Sequence, residues 1–300
     1  MGVVVATLGR PTLDAAVASA LAQSYPPEAV VIVVDGPIES LQASRPLDDK
    51  RVDIFALGTR RGVPFARNAG IRRLSTDLVA LIDDDDEWFP TKLQQQIERF
   101  HEMRSAGVTH PVIGCRALIQ DAGRKAITTA PTRLIRPGQR VGDYLFRRRR
   151  IRPREAVLGA SMLIFERALA QTVPFDSRLT RHDDWDWLLR VGARPDVAIA
   201  QVPEVAIRYT VQTSSNSARR GWEDSVAWPF AHRAFLSPRE QGDFLLCVSA
   251  PIAVAYWDWR GLRIILGKVL RLRTASLSAW LFLLGLIMLS FVREGRRRLS

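Results

Sequence analysis

The feature that most constrains this chain is a run of acidic residues placed directly after an apolar segment. Leu78–Ile82 is continuously apolar, and the next four residues, Asp83–Asp86, are all aspartate. Carboxylates at that density repel one another and favour binding of a cation. An apolar run that ends in Asp is typical of a buried parallel strand, whose carboxyl end is where open α/β folds bind ligands. The run therefore predicts a divalent metal site suited to a diphosphate.

A solvated acidic loop is the alternative interpretation, because most acidic runs are of that kind. Here, however, the run lies between the apolar segment and the aromatic pair Trp88–Phe89, and Pro90–Thr91 then marks a helix start. A solvated loop does not usually have such neighbours, so the metal site is favoured.

Composition bounds the class of protein without choosing a function. Three hundred residues, 47% of them hydrophobic, suffice for one large or two modest domains. The formal charge of +12 predicts attraction to nucleic acid, anionic lipid or phosphorylated substrates. Cys115 and Cys247 are far apart in the sequence, so neither a disulfide framework nor a thiolate metal site is predicted.

Strand and helix patterns alternate over the first hundred residues. Short continuous apolar runs are typical of strands covered on both faces, and they occur at Val3–Ala6, Val30–Val34, Ile54–Leu57 and Leu78–Ile82. Helical patterns lie between and after them, at Leu13–Leu21, Phe65–Leu74 and Lys92–Met103. The first part of the chain is therefore predicted to be a doubly wound α/β half.

Polar residues end three of these strands. Thr7 ends the first, Asp35 the second and Asp83 the fourth, so all three are expected to line one crevice at the carboxyl edge of the sheet. Taken singly, Asp35 could belong to an ordinary turn and Thr7 could satisfy local backbone. Three such residues at one edge favour a site.

After about residue 108 the pattern changes to strands separated by loops rich in Arg and Pro. The strand candidates are Val112–Cys115, Met162–Phe165 and Val205–Ile207. The basic run Arg147–Arg150 is either a solvated charge run or a contact for phosphate or lipid headgroups, and the sequence leaves both open.

The segment Thr274–Val292 has nineteen consecutive uncharged residues, which as a helix is about 28 Å, just enough to cross a bilayer. Basic residues lie on both sides of it, at Lys268, Arg271, Arg273, Arg293 and Arg296–Arg298. Either orientation of a simple span would place some of them on the wrong side, so an in-plane or re-entrant membrane contact suits the flanks better. A buried helix is the alternative.

Six segments, in this order, make the chain resemble the family 2 glycosyltransferases, whose fold is called GT-A. They are Val4–Thr7 with Arg10–Pro11, Ala20–Pro26, Val33–Gly36, Gly62–Gly70, Ile82–Trp88 and His182–Trp187. The resemblance covers about residues 1–220. It departs from the family pattern where Asp35 stands alone in place of two Asp, and where Asp183 replaces the usual Glu.

The resemblance implies a GT-A fold: a Rossmann-like, mostly parallel central sheet flanked by helices, here with a C-terminal helical, membrane-associated tail. It divides the chain into a nucleotide-sugar-binding half (1–108), an acceptor-binding half (109–240) and the tail (241–300). It also implies a nucleoside-diphosphate sugar donor, Mn²⁺ or Mg²⁺, and a saccharide or lipid-linked saccharide acceptor, in surface polysaccharide or glycolipid assembly. Because the first strand begins at Gly2 with no room for a signal sequence, we expect the protein on the cytoplasmic side of the cell membrane, in contact with the membrane surface.

By this analogy Asp85 and Asp83 hold the metal, and Asp85 is the more direct ligand. The donor nucleotide is expected to contact Thr7, Asp35, Arg67, Asp83 and Asp84. For Arg67 an ion pair on the helix surface is the alternative. A flexible lid formed by Arg208, Tyr209 and Thr213–Ser217 is also expected.

An acceptor hydroxyl needs a base, and the two candidates are adjacent acidic residues. We expect Asp184, with Asp183 as the second candidate, because on a helix neighbouring side chains diverge by about 100° and only one readily faces a pocket. Both could instead serve as acidic residues at a helix N-terminus. In this family the displacement inverts the anomeric configuration.

Three competing functions are disfavoured by what the sequence lacks. A nucleic-acid-binding protein would show a helix-turn-helix, zinc-ligand spacing or interleaved aromatics, so no nucleic-acid partner is expected. A sugar-phosphate nucleotidyltransferase would show a Gly-rich opening with Arg and Lys. The intact carboxylates argue against an inactive membrane scaffold.

Overall fold

The computed structural model describes residues 1–41, 45–121, 127–211 and 221–299. Its strands are β1 (Gly2–Thr7), β2 (Ala29–Val34), β3 (Val52–Ala56), β4 (Leu78–Asp83), β5 (Asp86–Trp88), β6 (His110–Asp121), β7 (Ile127–Ala130), β8 (Ile164–Glu166) and β9 (Val197–Val211). Its helices are α1 (Leu13–Leu21), α2 (Val63–Arg73), α3 (Lys92–Ser105), α4 (Val141–Leu145), α5 (Arg167–Thr172), α6 (Asp183–Gly192), α7 (Trp222–Ala231), α8 (Pro238–Phe244), α9 (Ala250–Ala255), α10 (Trp259–Leu272) and α11 (Leu277–Leu299).

The strands form one sheet in the order β3-β2-β1-β4-β8-β6-β9-β5, and β7 pairs with β6. β1 is parallel to both β2 and β4, β2 is parallel to β3, and β6 is parallel to β9. β8 runs antiparallel to its neighbours, and β5 runs antiparallel to β9. The predicted α/β fold with a mostly parallel sheet is confirmed.

The chain changes direction across the sheet at β1. β2 and β3 lie on one side of β1 and β4 lies on the other, which makes the β1–β4 crevice the topological switch point where such sheets bind ligands. In register, Ala6 pairs with Asp83 and Thr7 pairs with Val34. The polar residues Thr7, Asp35 and Asp83 therefore lie at one edge of the sheet.

The chain forms two compact units. The sheet unit contains Met1–Gly138 and Val157–Val211, and the helical unit contains Gln139–Ala156 and Gln212–Ser300. The predicted boundaries at 108 and 240 describe functional halves and stay a prediction. The compact units are divided elsewhere because β6 and β9 join the same sheet as β1 to β4.

The helical unit has its own hydrophobic core, formed mainly by Leu245, Leu246, Ala250, Ile265 and Val269. The predicted C-terminal helical region is present there. Among the described helices, none is both long enough and apolar enough to cross a membrane. Membrane association of the tail stays a prediction.

A close approach of α2 to the sheet depends on Gly70. A Cβ atom at this position would lie 2.4 Å from Val4 Cγ1 and 3.0 Å from Val33 Cγ2. Only glycine lets the helix lie this near β1 and β2, and this packing places Arg67, one turn earlier on α2, at the sheet edge.

We expect Gly70→Ala to lower the free energy of unfolding by about 1–3 kcal/mol, because the added methyl group overlaps Val4 in a packed core. Gly267→Ala is the matched control, since a Cβ there meets nothing within 4 Å. That change should instead raise the stability by up to about 1 kcal/mol. Urea unfolding of the full chain measures both, and equal behaviour of the two variants would contradict the packing argument.

Candidate active site

The four aspartates that follow β4 differ in their exposure. The side chains of Asp83 and Asp85 are 33% and 16% exposed, whereas that of Asp84 is 6% exposed. Asp86 is buried, at 1% exposure. Asp83 and Asp85 are thus the two that a ligand reaches most readily, and they are the pair that the sequence assigns to a metal.

Asp84 belongs to an internal network. Its Oδ2 accepts a hydrogen bond of 2.6 Å from the Thr7 hydroxyl, which itself accepts one of 2.9 Å from the Gly9 N–H. Its Oδ1 accepts one of 2.9 Å from Arg10 Nη1, and the same nitrogen lies 2.8 Å from Asp85 Oδ2. Thr7 and Asp84 therefore stabilise the carboxyl edge of the sheet through hydrogen bonds to other protein groups. Their predicted contacts with a nucleotide stay predictions.

Arg67 connects the acidic edge to a second acidic segment. It is buried, and its Nη2 donates to Asp83 Oδ1 at 2.6 Å while its Nη1 donates to Asp183 Oδ2 at 2.5 Å. Burial by itself lowers the pKa of the guanidinium, but Asp83 and Asp183 outweigh it and raise that pKa. Arg67 therefore forms an ion pair, as its alternative interpretation predicts, but the pair is buried and joins two segments. Its predicted contact with the nucleotide stays a prediction.

The start of α6 carries three aspartates with three different environments. Asp183 pairs with Arg67, and Asp186 pairs with Arg190 at 2.6 Å. Asp184 accepts a hydrogen bond of 2.8 Å from the Trp185 N–H. It forms no ion pair with any residue that the structure describes. Acidic residues suit this helix end because the exposed N–H groups there favour negative charge.

The environment of Asp184 raises the pKa of its carboxyl toward neutrality. Burial, followed by the neighbouring charge of Asp183, raises the pKa of Asp184 to about 7, against the opposing effect of Arg67. A Cβ on Gly159 would lie 3.4 Å from Asp184 Oδ2, so this carboxyl faces a segment of small residues. A half-buried carboxylate with a pKa near neutrality is suited to accept a proton.

Three carboxyls of the acidic run, those of Asp84, Asp85 and Asp86, have pKa values shifted in the same direction, and burial is the largest cause for each. Burial and then Asp83 raise the pKa of Asp85 to about 6, although Arg10 opposes the shift. Burial and then Asp83 raise the pKa of Asp86 well above its usual range. Neither oxygen of Asp86 has a well-formed hydrogen bond among the described residues, and the nearby Ser161 hydroxyl offsets the shift only in part. The charged form of Asp86 is therefore disfavoured.

The residues at the edge fit a divalent cation that arrives with a phosphate ligand. Arg67 and Arg10 each engage one oxygen, on Asp83 and Asp85 respectively, which leaves the second oxygen of each outside these ion pairs. Within the described part of the chain, no group of three or more His, Cys, Asp or Glu side chains is placed to hold a metal by itself. Mg²⁺ commonly binds through one or two carboxylates together with substrate phosphates and water, so two carboxylates suffice.

Asp35 is engaged by the backbone. Its carboxylate accepts hydrogen bonds from the Arg61 N–H at 2.6 Å and from the Gly62 N–H at 3.0 Å. It thereby stabilises the turn that enters α2, where Gly62 has a φ of 93°. Its predicted contact with the nucleotide stays a prediction.

The role of Arg10 and the position of two predicted lid residues become visible only in the folded chain. Arg10 follows β1 by three residues, and this place just after a strand that ends at the site edge is the signal that the sequence offers. Arg208 and Tyr209 lie within β9, in register with Glu87 and Asp86, so they do not form a flexible lid. The remainder of that lid, Thr213–Ser217, lies outside the described residues.

Comparison with known proteins agrees with the fold. The family model described as Glycosyl transferase family 2 matches residues 2–170. The chain belongs to this family and is a glycosyltransferase.

Among its relatives is the amylovoran biosynthesis glycosyltransferase AmsB of Erwinia amylovora, 24% identical over 226 residues, which are 73% of this chain and 72% of that protein. The succinoglycan biosynthesis protein ExoO of Rhizobium meliloti is 38% identical over 98 residues, 32% of this chain and 28% of ExoO. The crystal structure of S. aureus TarS 1-349 in complex with UDP aligns with a TM-score of 0.50 and 14% identity. It covers 90% of this chain and 88% of that one, and supports the fold alone.

Replacing Thr7 by Val should lower the free energy of unfolding by about 1–3 kcal/mol, because one oxygen of the buried Asp84 carboxylate loses its donor. Thr172→Val is the control: this hydroxyl is exposed and donates to Ala168 O within α5, so the change should be within roughly 0.5 kcal/mol. Chemical unfolding of both variants measures the difference, and similar values would show that the Thr7–Asp84 hydrogen bond does not hold the edge.

Proposed function

We propose that this glycosyltransferase moves a sugar from a nucleoside-diphosphate sugar to a hydroxyl acceptor in one metal-dependent displacement that inverts the anomeric configuration. One observation carries the proposal. Arg67 bridges Asp83 at the end of β4 and Asp183 at the start of α6, which sets the carboxyl of Asp184 beside the acidic edge. A site for a cation and a base for an acceptor then lie at the same end of the sheet.

The donor end of the site is formed by the acidic edge. Asp85 and Asp83 would hold Mn²⁺ or Mg²⁺, and the bound cation would neutralise the charge that develops on the diphosphate as it leaves. Arg10 and Arg67 balance the negative charge of the edge before the donor arrives. A donor of this class is supported by the family match and by TarS, whose structure is described as a complex with UDP.

The acceptor end is formed by Asp184. As an acceptor hydroxyl attacks the anomeric carbon, its oxygen forms the new bond and the bond to the diphosphate oxygen breaks with its electron pair. Asp184 takes the hydroxyl proton, which becomes more acidic as the bond forms. Attack from the face opposite the leaving group inverts the anomeric carbon, so an α-linked donor gives a β-linkage.

The acceptor class follows from the relatives. AmsB and ExoO are named for the biosynthesis of amylovoran and succinoglycan. A saccharide or lipid-linked saccharide acceptor at the cytoplasmic side of the cell membrane is the proposal that these names support. A nucleotidyltransferase, the competing phosphate enzyme, would have no use for a base at Asp184.

The metal proposal is tested with Asp85→Asn and Glu87→Gln. Asp85→Asn should abolish the rise in melting temperature that Mn²⁺ and the cognate nucleoside diphosphate produce together, because it removes a charged ligand. Glu87 is two residues away but exposed and paired with Arg208, so Glu87→Gln should keep the rise. A panel of UDP, GDP, CDP and ADP, each with and without Mn²⁺, finds the nucleotide, and a full shift retained by Asp85→Asn would remove this residue from the metal site.

The base assignment is tested by Asp184→Asn. Its kcat should fall by about 10²- to 10⁴-fold, because a neutral amide cannot take the proton. Donor binding, measured by calorimetry, should stay within several-fold. In the wild type, kcat/KM should rise with pH through a midpoint near the Asp184 pKa of about 7, since only the ionised form is a base, and the variant should lack this limb.

Asp183→Asn is the matched variant for the same experiment. It removes the like charge that raises the pKa of Asp184, so the acidic limb should move to lower pH while turnover falls less than in Asp184→Asn. Arg67 and Asp83 also face this carboxyl and are unchanged in both variants. The reverse pattern, with turnover lost in Asp183→Asn and kept in Asp184→Asn, would assign the base to Asp183.

A further inference from the structure

The exposed face of α11 is apolar. Leu277, Leu281, Leu284, Met288, Phe291 and Val292 are all exposed, and their spacing of three and four residues places them on one side of the helix. We call this set the apolar strip; from its first to its last residue it is about 22 Å long. The opposite side of α11 packs through Ala279 and Leu283 into the core of the helical unit.

An amphipathic helix at a water-exposed surface normally points polar residues outward, and α11 does not. No charged residue occurs between Arg273 and Arg293, and the side that faces away from the core is the one with the large apolar side chains. A continuous exposed apolar surface of this kind marks a contact with another surface.

One flank of the apolar strip is basic. Trp259 at the start of α10 stacks on Phe291, with ring centroids 5.6 Å apart and planes 13° apart. The other exposed side chains along α10 are a mixture of Arg and apolar residues, namely Arg260, Arg263, Ile264, Leu270 and Arg271. Tryptophan beside arginine is typical of residues that lie at a membrane interface.

The other flank is basic as well. The Arg148 guanidinium lies 4.0 Å from the centroid of the Phe282 ring, and the Ser278 hydroxyl donates to Arg148 O at 2.8 Å. Ser278 and Phe282 are on the side of α11 away from Phe291, so these contacts place residues 143–155, which we call the Arg-rich segment, along the second flank. Arg150 and Arg152, which follow Arg148, are exposed there.

The segment that forms the apolar strip and its α10 flank contains no acidic residues. No Asp or Glu occurs between Asp258 and Glu294. In the Arg-rich segment, Asp143 is paired with Arg147 and Arg149, and Glu155 accepts the N–H groups of Arg149 and Arg150. The α10 flank therefore carries no acidic residue, and the second flank keeps a positive balance of six arginines against Asp143 and Glu155.

We propose that the apolar strip and its two basic flanks dock on an anionic lipid bilayer, with α11 lying in the plane of the membrane. Apolar side chains would enter the acyl boundary while the arginines contact lipid phosphates. Charge complementarity selects this partner over a second copy of the chain, because a symmetric self-contact would bring like-charged flanks together. The inference does not rest on the proposed sugar transfer, whose residues belong to the sheet unit.

Co-sedimentation of the full chain with vesicles tests the proposal. Vesicles of equal parts phosphatidylglycerol and phosphatidylcholine should bind the protein, binding should weaken as salt is added, and pure phosphatidylcholine should bind it much less. Leu284→Glu should lower the partition coefficient roughly tenfold or more. Ile127→Glu, at a residue of the sheet unit that is equally exposed (50%), should leave it unchanged.

The basic flank is tested by Arg263→Gln with Arg271→Gln, which should lower partitioning roughly tenfold. The matched control is Arg72→Gln with Arg60→Gln, two exposed arginines of the sheet unit. Circular dichroism melts check that each variant is folded, and Met288→Glu replaces Leu284→Glu if the latter is not.

Three outcomes would overturn the proposal. The first is an absence of binding to anionic vesicles, and the second is binding that is equally strong to neutral ones. The third is a dimer, seen by sedimentation velocity without lipid, that Leu284→Glu dissociates.

Discussion

The site depends on one buried cation. Arg67 joins Asp83, 16 residues away in the sequence, to Asp183, 116 residues away. A buried charge that loses its partner costs about 3–5 kcal/mol, so the guanidinium of Arg67 requires both acidic segments to be in place. The close approach of α2 to β1 at Gly70 is what brings the guanidinium within reach of both. The position of Asp184 beside the acidic edge follows from this packing.

The carboxyls of the site fall into two groups according to how their charge is balanced. Asp83, Asp84 and Asp85 form ion pairs with arginines, whereas neither Asp86 nor Asp184 forms an ion pair with a described cation, although Arg67 lies near Asp184. A buried carboxyl without a counter-charge becomes protonated rather than remaining ionised. The first group can therefore present charge to a ligand. Asp184 is half-buried and has a pKa of about 7, so it is the carboxyl that can exchange a proton during a reaction.

The features that the sequence predicts well are those determined by residues close together along the chain. The apolar runs of β1 to β4 and the polar residues at their ends follow from side chains that each strand carries itself, and the α/β fold is confirmed on that basis. β5 and most of β9 were missed because a strand such as Asp86–Trp88 is defined by its partner, more than a hundred residues away. For the same reason the local sequence does not predict that Arg208 and Tyr209 are paired within β9.

Choosing among adjacent identical residues also requires the folded chain. Four consecutive aspartates have the same local chemistry, yet the turn after β4 directs Asp84 toward Thr7 and leaves Asp83 and Asp85 more exposed. The uncharged segment near the C-terminus presents the same difficulty, since a buried, a spanning and an in-plane helix all need apolar residues. The packing of α11 separates these cases. Leu283 lies in the core of the helical unit and the adjacent Leu284 is exposed, so this helix covers a core on one side and has an exposed apolar face on the other.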